Sequence, residues 1–316
     1  MHNYCTLFDS NYLTRGLAMY ESLKKYSDNF HLYIFAFDDK SHEFLKKLNL
    51  ESVTVISLKE FEDEQLLAIK SYRATGEYCW TCTPSVIKYS LKEYSLDSCT
   101  YLDADLYFFS NPSVLIEEMI DKSVLITEHR YTPKYDQRAT SGIYCVQFMT
   151  FKNNDNGLKV LNWWRDACID WCYARAEDGK FGDQKYLDDW TTRFNEVHVL
   201  QNLGGGVAPW NVQQYNLNDG KFKLVFYHFH GFNFFKNDKV DLGGYGLDKN
   251  DIDILYKPYI KHLDKISLQL KYFDKEGDYN GVQDDIPFSW KTPLRILRRK
   301  FNGSYNVMSR NFFLDK

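Results

Sequence analysis

Thr100-Tyr101-Leu102-Asp103-Ala104-Asp105-Leu106-Tyr107-Phe108-Phe109 decides the fold. An apolar, strand-forming run ends in two acids separated by one alanine, and a second apolar run follows at once. In open α/β sheets, ligands bind at the carboxyl ends of strands. Two carboxylates displayed there are hard oxygen ligands for a divalent cation, which in turn bridges phosphate oxygens. The alternative is a solvated strand-end turn. Spelling alone does not separate the two, because Asp251-Ile252-Asp253 has the same form. That second copy reads as the first turn of a helix, where acids favour the macrodipole.

Outward from this stretch, the first ~130 residues alternate strand-like and helix-like segments, the pattern of an α/β domain with a largely parallel sheet. Residues 4–8, 31–37, 53–58 and 99–102 read as strands. Leu13, Leu17, Tyr20 and Leu23 keep helical spacing, as do Phe44, Leu45 and Leu48. Thr83-Pro84 reads as a helix start and Asn111-Pro112 as another. Further on, residues 124–127, 143–151 and 223–229 are expected strands, and Leu158, Leu161, Trp164, Cys168 and Trp171 mark a long amphipathic helix. Gly204-Gly205-Gly206 is a loop. Beyond about residue 240, Leu263, Ile266, Leu270 and Phe273 form a helix that Pro258 interrupts upstream, and Lys291, Arg295, Arg298, Arg299 and Lys300 make a basic tail.

With 316 residues, the chain is one large domain or two modest ones. Lys plus Arg number 39 against 43 Asp plus Glu, a net charge of −4, so nothing attracts nucleic acid globally. No apolar run approaches the ~18–20 residues that span a bilayer. The start, Met1-His2-Asn3-Tyr4-Cys5, lacks the features of a signal peptide, and seven cysteines are an odd number, so reduced thiols and a cytoplasmic location are expected. Aromatic residues reach 17%, enough to fill a core and still leave rings for stacking on bases or sugars.

Tyr101-Leu102-Asp103-Ala104-Asp105 resembles the YLDaD signature of GT-A glycosyltransferases, in particular family 8. Four further segments agree in order. Residues 5–12, Cys-Thr-Leu-Phe-Asp-Ser-Asn-Tyr, are similar to that family's first strand and base-binding loop. Residues 141–147, Ser-Gly-Ile-Tyr-Cys-Val-Gln, resemble its NSGv strand, with Thr140 where the family has Asn. Residues 182–187, Gly-Asp-Gln-Lys-Tyr-Leu, resemble its DQd-L helix start, and His228-Phe229-His230-Gly231 matches H-x-x-G. The Lys-Pro-Trp that follows in the family is missing, replaced by Phe232-Asn233-Phe234-Phe235-Lys236.

The resemblance implies a GT-A fold, Rossmann-like with a mostly parallel sheet flanked by helices. It spans residues 1–240, nucleotide-binding to about 130 and acceptor-binding beyond, with a helical basic extension over 241–316. It implies a nucleoside-diphosphate-sugar donor, UDP-linked, a glycan or lipid-linked acceptor, and a retaining transfer. Asp103, Asp105 and His228 would hold Mn²⁺ or Mg²⁺, and an imidazole in the set favours the former. Thr6, Phe8, Asp9, Tyr12, Arg73, Asp103, Ala104 and Gly231 would hold the nucleotide, and Asp183 and Gln184 would face the transferred sugar. Gln is a poor nucleophile, so Gln184 would steady an oxocarbenium-like centre, and Asp183 would accept sugar hydroxyls. The bland alternatives are an N-cap carboxylate for Asp183 and a core histidine for His228 or His230.

Other chemistries are weaker. Cys79, Cys82, Cys168 and Cys172 spell a four-thiolate zinc site, but the last two fall on an apolar helix face, where core packing accounts for them. Gly204–Gly206 would let backbone approach a ligand, or form a plain turn. The basic tail, with Leu294, Leu297 and Phe301 opposite, would make peripheral contact with an anionic membrane, or form a solvated helix end. Two rival functions use the same features: a sugar-nucleotide nucleotidyltransferase or pyrophosphatase, and a nucleotide-sugar-binding protein without catalysis. The former normally opens with a Gly-rich basic loop, which residues 6–15 are not.

Overall fold

The computed structural model describes residues 1–284 and 292–314, so Lys291 of the expected tail lies outside the described residues. In chain order the strands begin with β1 (His2–Phe8), β2 (Phe30–Ala36), β3 (Val53–Ser57), β4 (Ser98–Leu102), β5 (Leu106–Phe108) and β6 (Val124–Glu128). They continue with β7 (Tyr144–Lys152), β8 (Val197–Val199), β9 (Phe226–His228), β10 (Asn233–Phe235), β11 (Lys239–Asp241) and β12 (Val307–Ser309). The main sheet has the order β3-β2-β1-β4-β7-β6-β8. β3, β2, β1 and β4 run parallel, β7 is antiparallel to both β4 and β6, and β8 is parallel to β6. The expected α/β class with a mainly parallel, helix-flanked sheet is the observed one.

Alternate residues of the parallel strands serve two separate cores. Tyr4, Leu32, Ile34 and Leu102 pack with Leu17 and Leu23 of the helix Leu13–Tyr26. Cys5, Tyr33, Phe35 and Tyr101 pack on the opposite face, with Val86 and Leu91 of the helix Thr75–Glu93 and with Leu161 and Trp164 of the helix Asp155–Asp170. Strand side chains alternate with period two, so a sheet covered on both sides needs apolar residues at successive positions. This is why the strands were readable as short continuous apolar runs.

One proline reading is corrected and one holds. Thr83-Pro84 does not begin a helix; both lie inside the helix Thr75–Glu93. Its start is fixed instead by Glu77, whose carboxylate accepts from the Ala74 amide at 2.9 Å. An interior proline forfeits one backbone bond, but Val86, Ile87 and Leu91 beyond it are fully buried and anchor the second half. Pro258 marks the upstream end of the helix Lys257–Leu270, as read: the five residues before it, Ile252–Tyr256, wind as a π-helix instead.

The end of the chain folds back on its beginning. The helix Lys257–Leu270 lies against the helix Leu13–Tyr26. Thr14 Oγ1 donates to the Tyr279 carbonyl at 3.1 Å, and Arg15 Nη1 donates to that of Asn280 at 2.7 Å. β10, β11 and β12 form a small antiparallel sheet. The short strands β8, β10, β11 and β12 carry no periodicity long enough to be read in advance. No helix among the described residues is long and apolar enough to cross a membrane.

One contact ties the core to the end of β1. A Cβ placed on Gly16 would lie 2.3 Å from the ring of Phe8, which is itself buried. Gly16→Ala gains about 1 kcal/mol of helix propensity but overpacks this site by about 1–3 kcal/mol. The expected outcome is a net loss of stability in urea unfolding.

Candidate functional site

The β4–β7 ladder ends where the Asp103 amide donates to the Gln147 carbonyl at 3.0 Å, and the Leu106 amide then closes on the Asp103 carbonyl at 3.2 Å. Residues 103–106 therefore form a tight turn at the carboxyl end of β4. β5 leaves this turn and pairs antiparallel with β9, with Leu106 opposite His228. The Phe229 amide also donates to the Asp105 carbonyl at 3.0 Å. Strand pairing thus brings His228 to the acids: its Nε2 lies 3.1 Å from Asp105 Oδ1 and 3.7 Å from Asp103 Oδ2. Ligand atoms of these three residues all fall within 4.8 Å of one another, the one such grouping among the described residues. No cysteine belongs to such a group, so the four-thiolate alternative has no geometric support.

The second ring nitrogen fixes the tautomer. His228 Nδ1 lies 2.7 Å from Gln147 Oε1. Donating there, a neutral imidazole presents its bare Nε2 to the carboxylates, the arrangement a metal-binding histidine needs. Gln147 was not singled out in the sequence. Its signal was its place at the end of the 141–147 segment, on the same strand face as Cys145.

Charge is tightly constrained here. Burial pushes Asp103 up to about 6, His228 opposes that rise and Asp105 adds to it. Burial also works against ionised Asp105, but the adjacent His228 outweighs it and holds that carboxyl down at about 2. Burial alone would lower His228, whereas the two carboxylates raise it well above the ordinary histidine value. For His230, burial and then the His228 charge outweigh the pull of Asp105 and lower it to about 4. The trio therefore accommodates one added positive charge, carried by the imidazole when no cation is bound.

These groups open into a cleft of about 600 Å³, a size typical of small-molecule sites. Phe8, Asp9 and Tyr12 line it from the end of β1, with Asp103, Ala104, Asp105, Asp183, Gln184, His228 and His230. Three expected residues do not line it. Thr6 is fully buried in β1. Arg73 donates to the Ile169 carbonyl at 3.2 Å and lies 3.9 Å over the Tyr173 ring. Gly231 turns the chain behind His230 with φ +74°. Gly204 admits a protein carbonyl rather than a ligand: a Cβ there would sit 2.0 Å from the Lys223 oxygen. Among the described residues, no lysine or arginine lines the cleft.

Asp183 follows Gly182, whose φ of +53° sets the turn. Trp164 Nε1 donates to the Asp183 carbonyl at 2.9 Å, and Gln184 Nε2 donates to the Ser141 carbonyl at 2.7 Å. Burial, then the charge of Asp103, pushes the Asp183 carboxyl up to about 8. The opposite wall is aromatic and went unread in the sequence. Trp210 meets His228 and His230 edge-on, with centroids 5.5 and 5.4 Å away. Its Nε1 donates to the His129 carbonyl at 2.9 Å, and His129 stacks on Tyr131 at 4.6 Å. Their only signal was aromatic residues scattered through loops.

No family model matches the chain. It is 31% identical over 277 residues to YfnD of Bacillus subtilis (strain 168), described as an uncharacterized protein, a match covering 83% of this chain and 88% of YfnD. The chain belongs to the family of YfnD. Among solved structures, the bifunctional glycosyltransferase WbbM aligns with a TM-score of 0.54 at 12% identity, over 87% of this chain and 51% of WbbM. The glycosyltransferase GlyE of Streptococcus pneumoniae TIGR4 aligns with a TM-score of 0.50 at 11% identity, over 87% of this chain and 64% of GlyE. The fold is GT-A-like, shared with these glycosyltransferases.

A carboxyl raised on folding stays protonated in the native state after the unfolded chain has ionised. The unfolded state then binds fewer protons, so this group lowers stability as pH rises from about 4 to about 8. Asp183→Asn should leave stability unchanged at pH 4 and raise it at pH 8, by upward of about 1 kcal/mol on the scale of 1.4 kcal/mol per pH unit. Urea unfolding of metal-free protein at the two pH values measures it.

Proposed function

We propose that the chain is a divalent-cation-dependent glycosyltransferase of family-8 type. It takes a sugar from a nucleoside diphosphate sugar, UDP-linked, and passes it to a glycan or lipid-linked acceptor with retention of configuration. The observation that carries this reading is the convergence of Asp103, Asp105 and His228 at the mouth of β4, in a cleft that no lysine or arginine among the described residues lines. The donor set fits a cation: two carboxylates and one imidazole, with Nε2 oriented by Gln147, favour Mn²⁺ over Mg²⁺. When bound, such a cation supplies Lewis-acid neutralisation of the departing diphosphate.

The chain's own residues do the rest. Phe8 and Tyr12 flank the base, and Asp9 sits beside them at the end of β1. Asp183 lines the cleft, and burial favours its protonated form, in which the carboxyl donates a hydrogen bond to a sugar hydroxyl as well as accepting one. Gln184 has its amide nitrogen committed to Ser141, which leaves Oε1 as the polar atom to steady positive charge at the anomeric carbon. Arg73, stacked on Tyr173, stays outside this scheme. Exposed Leu294, Leu297 and Phe301 beside Arg295, Arg298 and Lys300 support peripheral contact with an anionic membrane.

UDP with Mn²⁺, each well above its dissociation constant, should stabilise the protein, by about 2.7 kcal/mol at a hundredfold excess. Asp103→Asn and Asp105→Asn should abolish that shift. Asp251 instead completes a helix capping box with Asp248. Asp251→Ala should therefore cost about 1 kcal/mol of stability and leave the UDP-Mn²⁺ shift intact. A thermal-shift series on the four proteins checks this, and turnover of a nucleotide-sugar panel separates sugar transfer from pyrophosphate chemistry. No shift with any nucleoside diphosphate and Mn²⁺ would overturn the donor site.

A further inference from the structure

The loop after β11 reads Leu242-Gly243-Gly244-Tyr245-Gly246, three glycines around one tyrosine. Such a segment has no conformational preference of its own, yet it is fixed on all sides. Arg299 grips Asp241 with two hydrogen bonds of 2.8 Å and donates a third, also 2.8 Å, to the Gly243 carbonyl. Asp241 in turn accepts from the Gly243 amide at 3.0 Å. Asn306 Nδ2 donates to the carbonyls of Gly243 at 3.0 Å and Tyr245 at 2.6 Å. Asp241 and Asn306 are both buried.

The clamped loop touches the candidate site directly. Gly243, at φ +102°, lies where an added Cβ would be 3.5 Å from the His230 carbonyl, behind the turn that carries His228 and His230. Tyr245 lines the cleft. Its ring lies 6.3 Å from that of Trp210 and 5.0 Å from that of Tyr135, and Gln137 donates to its hydroxyl at 3.3 Å. The residues that set its position, Arg299 and Asn306, come from the last stretch of the chain.

We propose that Arg299 and Asn306 are positioning residues for the acceptor end of the cleft. They hold Tyr245 so that it and Tyr131 present ring surface to the pyranose of a neutral saccharide acceptor. The class of acceptor follows from the lining. Aromatic rings with a polar tip suit a sugar's apolar face and its hydroxyls together, and among the described residues no lysine or arginine lines the cleft to hold a phosphorylated or acidic acceptor. This inference rests on the glycosyltransferase reading, with the donor on the Phe8 side of the metal ligands. The basic helix Thr292–Phe301 is then two-sided: Arg299 faces the loop, and Arg295, Arg298 and Lys300 do not share that contact.

The test measures the two halves of the cleft separately. Calorimetry gives the affinity for UDP with Mn²⁺. Saturation-transfer NMR in the presence of UDP and Mn²⁺ gives the affinity for the methyl pyranosides of glucose, galactose and N-acetylglucosamine. The intact chain should bind at least one pyranoside. Tyr245→Ala and Arg299→Ala should weaken that pyranoside about tenfold, the scale of one aromatic contact, and clearly more than they weaken UDP-Mn²⁺, since neither residue belongs to the Asp103, Asp105 and His228 group. Tyr245→Phe should retain most of the binding. Arg299→Lys should not rescue, because an ammonium cannot grip a carboxylate bidentately. Tyr245→Ala leaves the clamp itself in place and so tests the idea even if Arg299→Ala folds poorly. UDP-Mn²⁺ binding with no pyranoside binding, or with pyranoside binding indifferent to Tyr245→Ala, overturns the inference alone. Parallel loss of both affinities in Arg299→Ala overturns it too, since the residue would then be general scaffold. Absence of UDP-Mn²⁺ binding overturns the donor site and this inference with it.

Discussion

Two carboxylates held beside one imidazole in a partly buried turn must share one positive charge. Asp103, Asp105 and His228 are under that constraint, and much of the surrounding structure serves it. The turn after β4 displays the acids, the β5–β9 pairing delivers the histidine, and β7 contributes Gln147 to orient its ring. Without a cation, the proton on His228 is the cheapest way to balance the pair, which is why its affinity for that proton is raised despite burial. A divalent ion competing for the same place must displace that proton, so metal affinity in the proposed reading rises with pH.

What was legible in the sequence was local. The parallel strands are short apolar runs because each is buried on both faces, and the acids of residues 103–105 stood out because they ended such a run. The second Asp-x-Asp was separable for the same reason, and its helical context is confirmed by the Asp248–Asp251 capping box. The Pro84 reading failed because tertiary burial outweighs local cost. Pro84 sits inside a helix whose first half lines the cleft with Thr75, Cys79 and Trp80, so starting that helix at residue 83 hid part of a wall.

The remainder was illegible because it is made by contacts between distant segments. Gln147 matters through a bond across 81 positions, Trp210 through rings that only strand pairing brings near. The loop bearing Tyr245 has no sequence signal beyond its glycines, which by themselves say only that it bends. Its conformation is written by Arg299 and Asn306, roughly sixty residues later. Arg299 read as one member of a basic tail; in the fold it is the member that turns inward.

The composition of the cleft has a thermodynamic consequence. In the proposed reading a diphosphate brings concentrated negative charge to a site already holding Asp103, Asp105 and Asp183. Among the described residues no lysine or arginine lines the cleft to receive it; Arg15, 4.4 Å over the Tyr12 ring, only helps to hold down Asp105. Burial keeps Asp183 protonated and so removes one of those charges at neutral pH. The others require a cation. Cation and nucleotide must then bind with positive coupling, each supplying what the other needs: the diphosphate adds oxygen ligands, and the ion cancels repulsion between phosphate and carboxylates. By linkage the coupling is reciprocal. A cleft built this way is a poor nucleotide site and a modest metal site taken separately, and a good site for the two together.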